Sequence, residues 1–259
     1  MKENHIPYIH NYCDRWCERC TFVTRCAVGA SEKLENLDLQ MALAESEEEE
    51  SQLLADHLSD SFKETKQMLE KMVTEQGLDW DAIVEEAKNC PVEEPELSPS
   101  QKELERLAYH YPDLVEKWLS QNSSSFDLEE ITTKLLVHRD DLEVHSMKII
   151  AAFETIRWFM WFLAPKVDRA IRGKLDPWTE DDPIQNDSNG SAKIALISID
   201  KSMAAWETLR AIFPETEDDM LDLLAVLVKL RKGLEEAFPN AEAFLRPGFD
   251  EPKYFQGFK

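Results

Sequence analysis

Apolar residues recur along this chain at spacings of three and four, the period of an amphipathic helix, and almost nowhere in the alternation of a strand. Leu34, Leu37 and Met41 begin the pattern, and Leu54, Leu58, Phe62, Leu69 and Met72 continue it as one stripe from Ser51 to Gln76. Gly77 is placed to end that helix, and Asp79 to cap a shorter one through Trp80, Ile83, Val84 and Ala87. Pro91, Pro95 and Pro99 punctuate an acidic connector, which predicts a boundary.

Beyond it, Ser98-Pro99-Ser100-Gln101 reads as a capping box with proline at the first helical position. A helix through Leu104, Leu107 and Ala108 is expected, with Pro112 starting another through Leu114, Val115, Trp118 and Leu119. Asp127 and Glu130 predict the start of the longest helix, running to about Ala164 or past a kink at Pro165 to Gly173. Its Ile156 to Leu163 stretch is apolar all round, the pattern of a helix enclosed by others. Lys174 to Gly190 reads as a long loop, a lid or an insert. Ser191 to Phe213 follows, with Ile194, Ile197, Met203, Trp206 and Leu209 inward. After Pro214, Thr216 to Asp219 caps a helix lined by Met220, Leu223, Leu224, Leu227 and Leu230. Pro239 to Lys259 reads as a surface drape. The expected fold is all-α: a helical bundle with an N-terminal four-cysteine metal-binding module. The expected divisions are a cysteine module over 1–30, a helical segment with an acidic link over 31–90, and a bundle over 98–259.

Charge narrows the partners. Of 259 residues, 52 are acidic and 29 basic, a formal charge of −23. Residues 1–30, with Lys2, Arg15, Arg19 and Arg25 against Glu3, Asp14 and Glu18, carry +1, so the remaining chain carries −24. Such a body repels phosphate backbones, so no nucleic acid is expected, while a basic protein partner suits it. Met1 to Pro7 lacks a signal-peptide core, and no apolar run reaches spanning length, so the expectation is a cytoplasmic protein with no membrane role.

The distinctive chemistry is Cys13-x3-Cys17-x2-Cys20-x5-Cys26, four of the chain's five cysteines. If the first part is helical, Cys13, Cys17 and Cys20 fall on one stripe, and the five residues before Cys26 allow a turn that presents a fourth sulfur. This number and kind of ligand suits a 4Fe–4S cluster. Arg15, Arg19 and Arg25 are interleaved and favour the ligating thiolates. Trp16, Phe22 and Val23 supply apolar cover, which tunes a cluster's potential. Zinc takes the same donors, although its structural sites usually show two separated knuckles, and disulfides require an oxidising compartment. His5 and His10 are alternative ligands.

The run Cys17-x2-Cys20-x5-Cys26 resembles the cluster loop of endonuclease-III-type DNA glycosylases, C-x6-C-x2-C-x5-C, and the C-x2-C-x5-C end of the cluster site in AddB-type recombination nucleases. The resemblance spans residues 13–26 and implies a 4Fe–4S cluster, not a DNA activity: no helix-hairpin-helix or nuclease motif accompanies it. Cys13, Cys17 and Cys20 also match the C-x3-C-x2-C of radical S-adenosylmethionine enzymes. Those leave one iron open and use a β/α barrel, whereas here a fourth cysteine is at hand and strand signals are few.

A second candidate metal site is His138, Asp141 and His145, at i, i+3 and i+7 on the long helix, with Glu154, Asp200 and Glu207 on helices expected nearby. No E-x-x-H pair accompanies them. Trp158, Trp161 and Trp206 read as core before they read as a cofactor platform. The 7 glycines form no phosphate loop, and no G-x-S-x-G occurs. Three readings follow: a protein with a 4Fe–4S centre in a structural, electron-transfer or redox-sensing role; a zinc-stapled adaptor for a basic partner; or an enzyme with a His/carboxylate site in the bundle.

Overall fold

A computed structural model of the chain describes residues 5–29, 40, 43–44, 46–89, 96–122, 142–175 and 182–251, with side chains from 146 onward in the stretch 142–175. The described residues are helical, with no strand among them. The chain divides into two compact units: Met1–Ile6 with Cys17–Glu94, and Pro7–Trp16 with Pro95–Lys259. The division falls inside the cysteine segment.

In the first unit, short 3-10 turns at Cys17–Arg19 and Val23–Arg25 precede two helices, α1 (Glu47–Glu75) and α2 (Trp80–Asn89). The Ile6 amide donates to the Arg25 carbonyl at 2.9 Å. Ser46 opens α1, its hydroxyl accepting from the Glu49 amide at 3.2 Å. Glu47 to Glu50 form the first turn, where their charges meet the positive end of the helix dipole. Gly77, at φ 74°, ends the helix in the left-handed conformation that glycine adopts without strain. Asp79 then caps α2 by accepting from the Asp81 and Ala82 amides at 2.9 and 3.3 Å.

The second unit holds α3 (Pro99–Gln121), α4 (Leu142–Leu175), α5 (Asp187–Ile212) and α6 (Glu217–Ala237). Contacts run around a ring. Between α3 and α4, Trp118 meets Phe153 and Arg172 meets Glu105. Between α4 and α5, Arg169 meets Asp187 and Lys201 lies over Phe159. Between α5 and α6, Arg210 meets Glu217 and Arg231 meets Asp200. Between α6 and α3, Gly233 faces Leu104. Wherever two contacts fix a neighbouring pair, residue numbers rise along one helix as they fall along the other. The four helices therefore form an up-down-up-down bundle.

The bundle's core is built round Tyr111, Ile156, Leu163, Ile199, Trp206 and Leu227, each fully buried. The Trp206 indole N–H donates to the Tyr111 hydroxyl at 2.8 Å, and the Trp118 ring meets Trp206 edge-on at 4.8 Å. Burial pushes the Tyr111 phenol up to about 12, against the pull of Trp206 and Ser202.

Several expectations need correction. Pro112 does not divide a helix: α3 runs unbroken through it, with the Ser98/Gln101 capping box in place at its start. An internal proline costs about 3 kcal/mol, but Tyr111, Pro112 and Val115 are all buried, and that packing holds the helix together. Of the two ends expected for the long helix, the farther one holds: α4 runs past Pro165 and on to Leu175. The expected start of the long helix at Asp127 lies outside the described residues. The loop expected to reach Gly190 ends sooner, because α5 begins at Asp187. Asp-Ser-Asn-Gly reads as turn chemistry, yet Asn186 caps the helix by accepting from the Asn189 amide at 2.9 Å. The buried Asn189 side-chain amide is satisfied by the Pro183 and Ile184 carbonyls, each at 3.0 Å. Thr216 does not cap α6 with its side chain; its hydroxyl donates back to the Phe213 carbonyl at 3.2 Å. After α6, Phe238, Ala241 and Phe244 are buried, so the tail up to residue 251 packs rather than drapes. No helix among the described residues is long and apolar enough to cross a membrane.

Candidate functional site

The cysteines do not share an α-helical stripe. Ile9–Asn11, Cys17–Arg19 and Val23–Arg25 are isolated 3-10 turns, and Cys13 lies between the first two of them. The spacing i, i+4, i+7 permitted a helix that the chain does not form there.

Cys13 belongs to the second unit, on a strap of residues 7–16 laid on α4 and α5. The strap is fixed at several points. Tyr12 donates from its hydroxyl to Asp187 Oδ1 at 3.0 Å, and Arg169 holds the same carboxylate through two bonds, Nε to Oδ2 at 2.8 Å and Nη2 to Oδ1 at 2.5 Å. The Tyr12 ring meets Phe244 edge-on at 4.7 Å. The Trp158 indole N–H donates to the Asp14 carbonyl at 2.8 Å, and Lys201 Nζ reaches Asp14 Oδ2 at 2.7 Å. Trp16 stacks on Trp158, centroids 5.1 Å apart and planes 12° from parallel. Ile9 is buried, and Arg15 turns the chain at φ 59°.

The surroundings of Cys13 are cationic. Burial lowers the pKa of the Lys166 ammonium, and Arg169 and Arg15 lower it further, while Cys13 and Asp187 act in the opposite sense. His10 is held below its ordinary value by burial and then by Arg15. The His10 Nδ1 atom is buried without a hydrogen-bond partner among the described residues.

Backbone N–H groups from residues just ahead in the chain are directed at sulfur along this segment. Arg15 N–H points to Cys13 Sγ, Phe22 N–H to Cys20 Sγ and Gly29 N–H to Cys26 Sγ, each at 3.4 Å. The Cys13 thiol also lies 3.6 Å from the His10 carbonyl. In the first unit Cys26 is buried, while Cys17 and Cys20 are partly exposed. Among the described residues, no three His, Cys, Asp or Glu side chains are grouped to hold a metal ion.

Of the second candidate site, His138 and Asp141 lie outside the described residues, and His145 is described only as a position on the first turn of α4. Asp200 and Glu207 are exposed and engaged by arginines, Arg231 at 2.8 Å and Arg210 at 2.8 Å. Glu154 is also exposed. The tryptophans separate: Trp206 is core, Trp158 carries the strap, and Trp161 is 57% exposed. A cavity of about 310 Å³ at one end of the bundle is lined by Lys174, Asp182, Ser188, Asn189, Phe238 and Asn240, among others. The Lys174 ammonium donates to the Ala237 carbonyl at 2.8 Å, and Asp182 Oδ1 accepts the Ile184 and Gln185 amides at 2.8 Å each. Both charged groups thus act as local structural ties.

Sequence reasoning did not find Asp14, Lys166, Arg169, Asp187 or Lys201 as a set. Their spacing carries no motif, because they meet only when the strap lies on the bundle. No family model, curated protein or solved structure matches the chain.

Proposed function

We propose that this chain is a metal-centre protein whose N-terminal thiols, Cys13, Cys17, Cys20 and Cys26, ligate a 4Fe–4S cluster in a structural, electron-transfer or redox-sensing role. The observation that supports this reading best is the set of amide N–H groups turned toward Cys13, Cys20 and Cys26. Hydrogen bonds to sulfur favour the charged thiolate, the form that binds metal, and they raise or lower a cluster's potential. The cations Lys166 and Arg15 around Cys13 act in the same sense.

The four-ligand set itself rests on spacing. Thiolate sites commonly gather as the metal arrives, so that metal-binding free energy adds to folding free energy. Ligation by four cysteines leaves no iron open to substrate, which favours structure or electron transfer over substrate chemistry. Zinc fits the same donors and gives the alternative, a stapled helical adaptor. Either centre belongs in a reducing compartment such as the cytoplasm.

The test is metal and acid-labile sulfide analysis of anaerobically purified full-length protein, with and without reconstitution. Iron with matching sulfide, and a broad visible absorbance bleached by dithionite, is the expected result. Serine at any of the four positions should deplete it, while Cys90→Ser should not. Zinc in place of iron selects the staple. A chain that holds neither metal under either condition overturns the proposal.

A further inference from the structure

Helix α1 carries the sequence's clearest apolar stripe, and none of its 29 residues is buried. Leu54 is 43% exposed, Leu58 47%, Phe62 72%, Leu69 42% and Met72 48%, and Met68 beside them is 57% exposed. At 3.6 residues per turn these lie along one side of the helix for most of its length. A continuous apolar strip rimmed by charge marks an interaction surface.

Charge decides what covers it. The helix has nine carboxylates and three lysines. Each lysine is paired with an acid of the same helix: Lys63 with Asp60 at 3.0 Å, Lys66 with Glu70 at 3.5 Å and Lys71 with Glu75 at 3.9 Å. Four of the carboxylates, Glu47 to Glu50, crowd the first turn. A second copy would set one such surface against another, and like charges in register are unfavourable. Anionic lipid and nucleic acid are repelled for the same reason.

We infer that this face docks a basic amphipathic helix of a partner protein. The partner's apolar side seats on Leu54, Leu58, Phe62 and Leu69, and its lysines and arginines lie against the acidic flanks and Glu47 to Glu50. The recognition mode is helix against helix, read through anchors at i, i+4 and i+8. It does not depend on the thiols, so it stands or falls separately from the metal reading.

The test uses the full chain and a labelled synthetic helix of leucine and lysine in amphipathic order, about five turns long. Fluorescence anisotropy should show binding that weakens with salt, with helix gained by the peptide. A scrambled peptide of the same composition and a leucine/glutamate counterpart should bind far less. Leu58→Ser with Phe62→Ser should weaken binding by about tenfold or more. Both positions are exposed, so circular dichroism should stay unchanged; Glu48→Lys with Glu50→Lys gives a second, independent loss. Equal binding by the scrambled peptide, or by both variants, would overturn the inference and leave only a diffusely acidic surface. A dimer in light scattering that the Leu58/Phe62 variant dissolves would assign the face to a second copy instead. Binding to phosphatidylcholine vesicles that the same variant abolishes would assign it to lipid.

Discussion

The backbone of Gly190 lies directly against the ring of Tyr12. A β-carbon at position 190 would stand 2.4 Å from Tyr12 Cε1 and 2.8 Å from Phe244 Cζ. The first turn of α5 thus has no side chain at the point where the strap crosses it. The same turn presents Asp187, which Tyr12 and Arg169 both hold. One glycine makes room for the ring, and one carboxylate three residues earlier fixes the ring's hydroxyl.

Gly190→Ala should therefore destabilise the second unit, although alanine is the better helix former. The propensity gain is at most about 1 kcal/mol, whereas overpacking a filled site costs about 1–3 kcal/mol. The expected result is a lower melting temperature and faster amide exchange over residues 8–16. Gly233→Ala is the comparison. Its new carbon would meet Leu104 Cδ2 at 2.6 Å, the far end of a side chain that can move, so its cost should be smaller. Equal costs would mean that the strap yields as readily as a leucine methyl.

Tyr111 and Trp206 make a buried hydrogen bond in the bundle's centre. Tyr111→Phe leaves the Trp206 indole N–H without its acceptor, at a cost of about 1–3 kcal/mol at neutral pH. A pH signature accompanies it. The folded-state pKa of Tyr111 is raised from 10.0 to about 12, so the unfolded chain loses the proton first. The associated stability is complete below pH 10 and is lost as pH rises through about 12. Denaturant melts across that window should show wild type losing stability that the phenylalanine variant does not lose. Parallel pH profiles would place the ionisation elsewhere.

Asp250 gives the opposite sign. Burial raises its pKa, but the Arg246 guanidinium, the Arg246 amide and Lys193 outweigh it and hold the carboxyl at about 2, below its ordinary 3.8. Its contribution is present above pH 3.8 and is lost as pH falls through about 2. Asp250→Asn should be less stable than wild type at neutral pH, and the difference should shrink toward zero in acid. A gap that persists at the lowest pH would make the loss one of packing rather than of charge.

The helices were legible where one signal served them. Ser98 with Gln101, Asp79 and Gly77 all act as their residue types imply, because capping is local chemistry. Pro112 and the Asp187 to Gly190 turn misled because buried neighbours, not local propensity, decide their conformation. The stripe on α1 was legible as a helix but not as an exposed one, since periodicity gives a face and says nothing about what lies opposite. For the thiols, spacing singled out four cysteines as candidates, while the amides directed at Cys13, Cys20 and Cys26 depend on turns that no pattern announced. The strap was invisible: Asp14 and Lys201 are 187 positions apart.

What holds that strap can be apportioned. Asp14 and Lys201 form an ion pair at 2.7 Å with side chains 27% and 46% exposed, a setting in which such pairs contribute about 0.2–1 kcal/mol and weaken with salt. Trp16 and Trp158 stack over a larger apolar area, and an aromatic pair of this kind adds about 0.5–1.5 kcal/mol beyond its burial, independent of salt. Trp158 also donates to the Asp14 carbonyl, so its loss removes two ties at once. Double-mutant cycles, Trp16→Ala with Trp158→Ala and Asp14→Ala with Lys201→Ala, should show the larger coupling for the rings. Raising the salt concentration should diminish only the second cycle. If the ion pair couples more strongly, or the ring coupling falls with salt, the strap is held by charge rather than by the stacked rings.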